Sequence, residues 1–363
     1  MANIIPWVGA NRIAIVPVFN RQVDSEPPPD WAYQVRNRVF YDPDPATGVD
    51  RSFQNYIKTL SYGTAWLEGD VFPSVWSEDA TINIPAMNSL PGNHGYKHLV
   101  AVLPHSFGEH RGGLAFMDVP AVNGITSWAR VALYEDRFLT ARQPMGVWGM
   151  EILHMETMFL DLYLTNPNLG SYDVMAGAGA TTHATAHTKQ AMGWLAHGKI
   201  LNHSGGTTDL NLQAISMPQP PPPGRVTAVR IPSRLTSNHF VVEARVATDQ
   251  YEKRDSPGDG IPMDAVIIYE VVSIFTVFLR ATLSVNQTFT IAGEGLTVKV
   301  TQSIPGGFSV SIKTTPGAEC GQLREEIAAL REDVRTEEDP FVRRQMRARI
   351  ATLTAKATQL GCP

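Results

Sequence analysis

Eight residues near the middle of the chain limit what it can fold into. Met217-Pro-Gln-Pro-Pro-Pro-Pro-Gly224 has few backbone N–H groups to offer, and its φ angles are largely fixed, so neither a helix nor an inner strand runs through it. It reads as a stiff polyproline connector. The two sides of it differ. Residues 1–216 mix strand-like and helix-like segments. Arg12–Phe19, Trp66–Val75 and His98–Leu103 read as strands. Asp30 is expected to cap a helix running through Phe40, and Asp50 another through Leu60. Gly146–Leu164 is apolar enough for a central buried helix, and Thr185–Leu195 reads as one more. Residues 225–316 instead show short alternating stretches separated by turn residues: Arg225–Ile231, His239–Val246, Ala265–Val272, Phe275–Leu283, Gly295–Gln302 and Gly307–Lys313. That pattern is the signature of a β-sandwich.

Residues 317–363 follow a third pattern. Leu323, Ile327, Leu330 and Val334, then Met346, Ile350, Leu353, Ala357 and Leu360, keep the spacing of a helix seam. Asp339-Pro340 interrupts the run, and proline suits the first turn of a second helix. The segment reads as an antiparallel hairpin with Leu323 opposite Leu360 and Leu330 opposite Leu353. In that register the chain's two cysteines, Cys320 and Cys362, lie side by side at the hairpin base. A disulfide there would stabilise by roughly 4 kcal/mol in the chain-entropy model and would favour an oxidising compartment. Two reduced, merely neighbouring thiols are the alternative.

Composition excludes several classes. Hydrophobic residues make up 43% and charged residues 18%, which is too apolar for a disordered chain. The net charge of −5 provides no overall basic field, and no nucleic-acid partner is expected. The longest apolar run, Val266–Leu279, is broken by Glu270, so no membrane span is expected. The first residues have neither a basic region nor a small-residue cleavage site, so no signal peptide is read in this chain. The sequons at Asn202 and Asn286 fit secretion.

The segment that could carry chemistry is Gly149-Met-Glu-Ile-Leu-His-Met-Glu-Thr-Met-Phe-Leu-Asp-Leu-Tyr163, followed by Ser171-Tyr-Asp-Val-Met175. Residues four apart on a helix share a face. A His-Glu-x-x-His pattern therefore holds one zinc, with the glutamate acting on its water. Here the five residues are Met150-Glu-Ile-Leu-His154, with a thioether where the first imidazole belongs. Zinc prefers imidazole, thiolate or carboxylate to a thioether. Taken by itself, His154 reads as a satisfied core histidine and the methionines around it as packing.

This stretch resembles the immune-inhibitor-A and gametolysin-like secreted zinc metallopeptidases. Ser61-Tyr-Gly63, Leu67-Glu-Gly69-Asp-Val71, Ser171–Met175, His187-Thr-Lys189 and Met192-Gly-Trp194-Leu195 recur in the same order, as do segments of the sandwich up to Lys313. The resemblance, which ends at Lys313, implies a metallopeptidase-like α/β domain (1–216) and a β-sandwich (225–316); with the connector (217–224) and the helical hairpin (317–363) read from the sequence pattern, an α+β protein is expected. It also implies that Glu151 is the general base, His154 and Asp161 are zinc ligands, Met175 is the methionine of the turn beneath the metal, and the protein is extracellular or at the cell surface. With Met150 at the first-ligand position, the expectation is a pseudoprotease that holds zinc poorly and serves a structural, assembly or binding role through a protein partner or self-association. The alternative is a zinc endopeptidase with Glu151 as general base, either deliberately inactivated at Met150 or active with His183 or His187 supplying the missing ligand.

Overall fold

The computed structural model describes residues 4–22, 30–78, 82–105, 113–134, 143–177, 180–253, 260–315, 318–337 and 339–359. In it the apolar run that begins at Ile13 lies inside a sheet. Strand β1 (Gly9–Asn20) pairs in parallel with β2 (Ala65–Val71) on one side and β4 (His98–His105) on the other; β3 (Val75–Ser77) continues the β2 side. Beyond β4 come β6 (Ser127–Tyr134), parallel, and β5 (Leu114–Phe116), an antiparallel edge. The inner strands are apolar without alternation because both faces are covered, as a parallel sheet requires. Helices α1 (Trp31–Phe40), α2 (Phe53–Leu60), α3 (Asn83–Asn88), α4 (Met145–Thr157) and α5 (Ala186–Ala191) belong to the same compact unit.

Several helix ends differ from expectation. Asp30 takes a left-handed conformation and makes no side-chain cap. α2 is capped by Ser52, whose Oγ accepts from the Asn55 N–H at 3.2 Å. Asp50 acts one step back: its carboxylate accepts from the Ser52 N–H at 2.9 Å and the Ser52 hydroxyl at 3.0 Å. The central helix stops at Thr157 rather than Leu164, because Met158 turns left-handed (φ 59°) while its N–H still reaches the His154 carbonyl. The Thr185 helix ends at Ala191.

The second unit holds β7 (Ile200–Asn202), β8 (Gly206–Gln213), β9 (Arg225–Val226), β10 (Ala228–Pro232), β11 (His239–Arg245), β12 (Ala265–Ser273), β13 (Thr276–Leu283), β14 (Thr288–Ile291), β15 (Leu296–Ile304) and β16 (Gly307–Thr314). They form two five-stranded sheets, β13-β12-β11-β10-β7 and β14-β15-β16-β8-β9, which touch where β11 meets β8 and β16. Leu296, Val298 and Val300 on β15 and Phe308, Val310 and Ile312 on β16 are buried at alternate positions. The six strands expected from sequence are present within a few residues. β7, β8 and β14 lie outside the expected stretches. The units also interleave in sequence: residues 198–214 belong to the second, and residues 215–219 and 246–263 to the first.

Helices α6 (Ala318–Thr336) and α7 (Pro340–Gln359) pack against each other. Only residues 337–339 separate them, so the turn is tight. Arg349 Nη2 meets Glu326 Oε1 at 2.7 Å. That ion pair places the facing positions about one heptad nearer the turn than expected, with Leu330 near Met346 and Leu323 near Leu353. Sequence periodicity fixes a seam only modulo seven residues; the short connection picks the register. The Cys320–Cys362 disulfide expected at the base falls outside the described side chains. No helix among the described residues is long and apolar enough to cross a membrane.

Candidate functional site

The early end of α4 brings the site residues together. Because the chain turns back at Met158, Asp161 leaves the helix and returns to it. His154 Nε2 lies 2.9 Å from Asp161 Oδ1, and His154 Nδ1 faces the Phe159 carbonyl oxygen. Both ring nitrogens therefore point at oxygen acceptors, an arrangement satisfied by an imidazolium. Burial by itself pushes His154 towards the neutral form, but the Asp161 carboxylate and the Phe159 carbonyl outweigh it and raise the pKa above that of an ordinary histidine. Burial likewise acts against the Asp161 charge, yet His154, with help from the Tyr163 hydroxyl, holds its pKa below the usual carboxylate value. Tyr163 is pushed up to about 12, first by burial and then by its hydrogen bond to Asp161.

Glu151 lies one turn earlier on α4. Burial raises its pKa to about 7, with His154 pulling the other way. Gly113, just before the edge strand β5, crosses directly over it: a Cβ at that position would sit 2.2 Å from Glu151 Cγ. Only a glycine allows this approach. Across the sheet, Arg130 on β6 is buried, its pKa lowered by desolvation and partly restored by Glu151. Among the described residues, its Nη2 has no hydrogen-bond partner.

The turn at Ser171–Met175 is tied to the same loop. Met175 is fully buried, and its carbonyl accepts from the Leu162 N–H at 2.8 Å. Asp173 organises the turn. One carboxylate oxygen accepts from the Met175 N–H at 2.8 Å. The other takes the Thr185 N–H at 2.8 Å and the hydroxyls of Thr185 and Thr188 at 2.7 Å each.

The remaining candidates lie elsewhere. His183 forms a separate enclosed cluster: Lys189 Nζ donates to its Nδ1 at 3.1 Å, which leaves Nε2–H to donate to Asp249 Oδ2 at 2.7 Å. Burial works against the Asp249 charge, but the His183 contact and the N–H groups of Tyr251 and Glu252 bring its pKa down to about 2. His187 is buried on α5. Among the described residues, no group of three or more His, Cys, Asp or Glu side chains is placed to share a metal ion. As arranged, the donor set does not fit zinc. Met150 offers a thioether, which leaves only the His154 imidazole and the Asp161 carboxylate as strong donors.

Sequence reasoning missed a second buried carboxyl on α4. Glu156 is 4% exposed. Asn11 Nδ2 on β1 donates to its Oε2 at 2.6 Å, and His98 Nδ1 on β4 stands 3.7 Å from Oε1. Burial raises Glu156 to about 8. Arg130 was missed too. In both cases the available signal was a charged residue inside an otherwise apolar run.

No protein-family model matches the chain, and no curated protein matches it.

Proposed function

We propose that this chain is a metallopeptidase-fold protein with a broken zinc site, a pseudoprotease that acts outside the cell or at its surface through binding or assembly. In this reading the parallel sheet with α4 is the peptidase-like part, the two five-stranded sheets form a β-sandwich, and the hairpin is an accessory element. The observation that carries the reading is Met150, a thioether one helical turn before His154, where a second imidazole would have to stand to share a zinc ion with it. His154 and Asp161 stay side by side, 2.9 Å apart, as the remaining nitrogen and oxygen donors. A water-activating site needs three strong ligands and one open position. Glu151 with a pKa of about 7 could exchange protons, but without an acidified water it has nothing to activate.

The test is the metal content of the purified native protein beside Met150→His. The native chain is expected to carry far less than one zinc per chain. The variant should carry close to one, bound by the introduced imidazole together with His154 and Asp161. Peptide cleavage by the variant alone would mean that one side chain separates this protein from an enzyme. About one zinc per chain in the native protein, together with peptidase activity, would overturn the reading in favour of a zinc endopeptidase.

A further inference from the structure

The α6–α7 hairpin segregates its charge. On α6, Arg324, Arg331 and Arg335 fall within about 40° of one another around the helix axis, to one side of the Leu323–Ile327–Leu330–Val334 seam. On α7, Arg343 and Arg347 fall equally close together beside the Met346–Ile350–Leu353–Ala357 seam. The two helices are antiparallel, and the Glu326–Arg349 ion pair fixes which flanks meet. Glu326 and Arg349 share one flank, with Asp333 and Lys356; the five arginines share the other. Among the described residues, no carboxylate lies on that flank. The nearest is Glu332 on the outer ridge, which pairs with Arg335 at 3.0 Å. Arg324, Arg331, Arg335 and Arg347 are exposed; Arg343 is half-buried and its Nε donates to the Glu337 carbonyl at 3.0 Å, so it adds charge rather than a free fork.

The observed register also concentrates the charge along the axis. Counted from the tight turn, Arg335, Arg343, Arg331 and Arg347 alternate between the two helices over about 9 Å, and Arg324 extends the row by roughly another 7 Å. The result is a linear row of guanidinium groups rather than a point cluster. Guanidinium forks match the paired oxygens of sulfate and carboxylate groups. The hairpin's single aromatic residue, Phe341, lies on the opposite side of α7, so the row offers no surface on which bases could stack.

We infer that the arginine flank of the α6–α7 hairpin is a docking surface for one strand of an acidic polysaccharide carrying sulfate or carboxylate groups. This adds a partner to the binding role proposed above and rests on that role, not on the metal site. Its failure would be read in polysaccharide retention, and failure of the pseudoprotease reading in zinc content.

The experiment uses the full chain and two immobilised probes: heparin as the sulfated polysaccharide, and poly(dT) as a polyanion with bases. The native protein is expected to bind heparin at about 0.1 M salt and to release as salt screens the contacts. Arg331→Gln with Arg347→Gln should weaken binding about tenfold or more. Arg349→Gln with Lys356→Gln, on the other flank, should change it less than about twofold. Far-ultraviolet circular dichroism establishes that each variant keeps its helices, and Arg331→Lys with Arg347→Lys, which keeps the charge but loses the fork, should fall between. The inference is overturned by absence of heparin binding in the native protein, by equal losses from the two flanks, or by tighter binding to poly(dT) than to heparin.

Discussion

At the scale of single residues, the N-terminal unit keeps carboxyl groups where water does not reach, and the consequence is a pH dependence. Glu156 has a native pKa of about 8 against 4.5 in an unstructured chain. Burial is the main cause, opposed by the Asn11 amide. The folded state therefore holds the Glu156 proton more tightly than the unfolded state does. Its contribution to stability is complete below about pH 4.5 and is lost as pH rises towards 8, by up to about 1.4 kcal/mol per pH unit. Glu151, raised to about 7, acts with the same sign. Asp161 acts oppositely, since its lowered pKa favours the fold above the range where it protonates. Glu156→Gln copies the protonated acid and can still accept from Asn11. The variant should be more stable than the native protein at pH 8 and nearly equal at pH 5, with a shallower slope in urea midpoint. Parallel curves would mean that Glu156 is already neutralised by His98. None of this was legible in the sequence, because a glutamate on a helix is ordinarily solvated and its burial depends on where β1 and β4 lie.

At the scale of elements, local chemistry set the starts of helices better than their ends. The sequence pointed to Asp50 as the cap of α2, but the cap is Ser52, and the structure uses the two in series. Ser52→Ala removes the acceptor for the Asn55 N–H and the hydroxyl donor to Asp50 Oδ2, while the Asp50 carboxylate keeps the N–H groups of residues 42 and 52. It should cost about 1–2 kcal/mol, seen as a lower thermal midpoint. Asp50→Ala should cost less, because Ser52 remains. A larger loss from Asp50 would mean that its contact with the Asp42 N–H matters more than the cap. The end of α4 was not predictable in the same way. Nothing before Met158 breaks the apolar helical pattern, and the left-handed turn there is sustained by contacts made afterwards: His154 with Asp161, and Leu162 with the Met175 carbonyl. Without that turn Asp161 would lie two helical turns beyond His154 instead of beside it. The hairpin shows the same limit, with its seam read correctly and its register chosen by a three-residue connection.

At the scale of the whole molecule, the N-terminal unit is completed by residues 246–263, which come after the connector in sequence. That segment is held closely. Tyr251 is 1% exposed, its ring lies 4.9 Å from that of Tyr56, and its hydroxyl accepts from Asn55 Nδ2 at 2.9 Å. Gln250 Nε2 donates to the Asp50 carbonyl at 2.8 Å, and Asp249 joins His183 and Lys189. Tyr251→Ala should therefore destabilise the N-terminal unit by about 3–5 kcal/mol, with near-ultraviolet dichroism and tryptophan fluorescence of that unit lost at lower urea. An unchanged midpoint would show that the segment only rests on the unit. The sequence by itself determined the classes of structure: a part that mixes apolar strands with helices, a part built of alternating strands and a two-helix hairpin. These follow from periodicity and proline chemistry, which act over a few residues. Only the tertiary structure decided that Asp161 turns back onto His154, that Glu156 and Arg130 are buried, and that residues 246–263 belong with the N-terminal unit. It also fixed the hairpin register that lines up five arginines. Those outcomes depend on which distant segments exclude water from one another, and no short window of sequence contains that information.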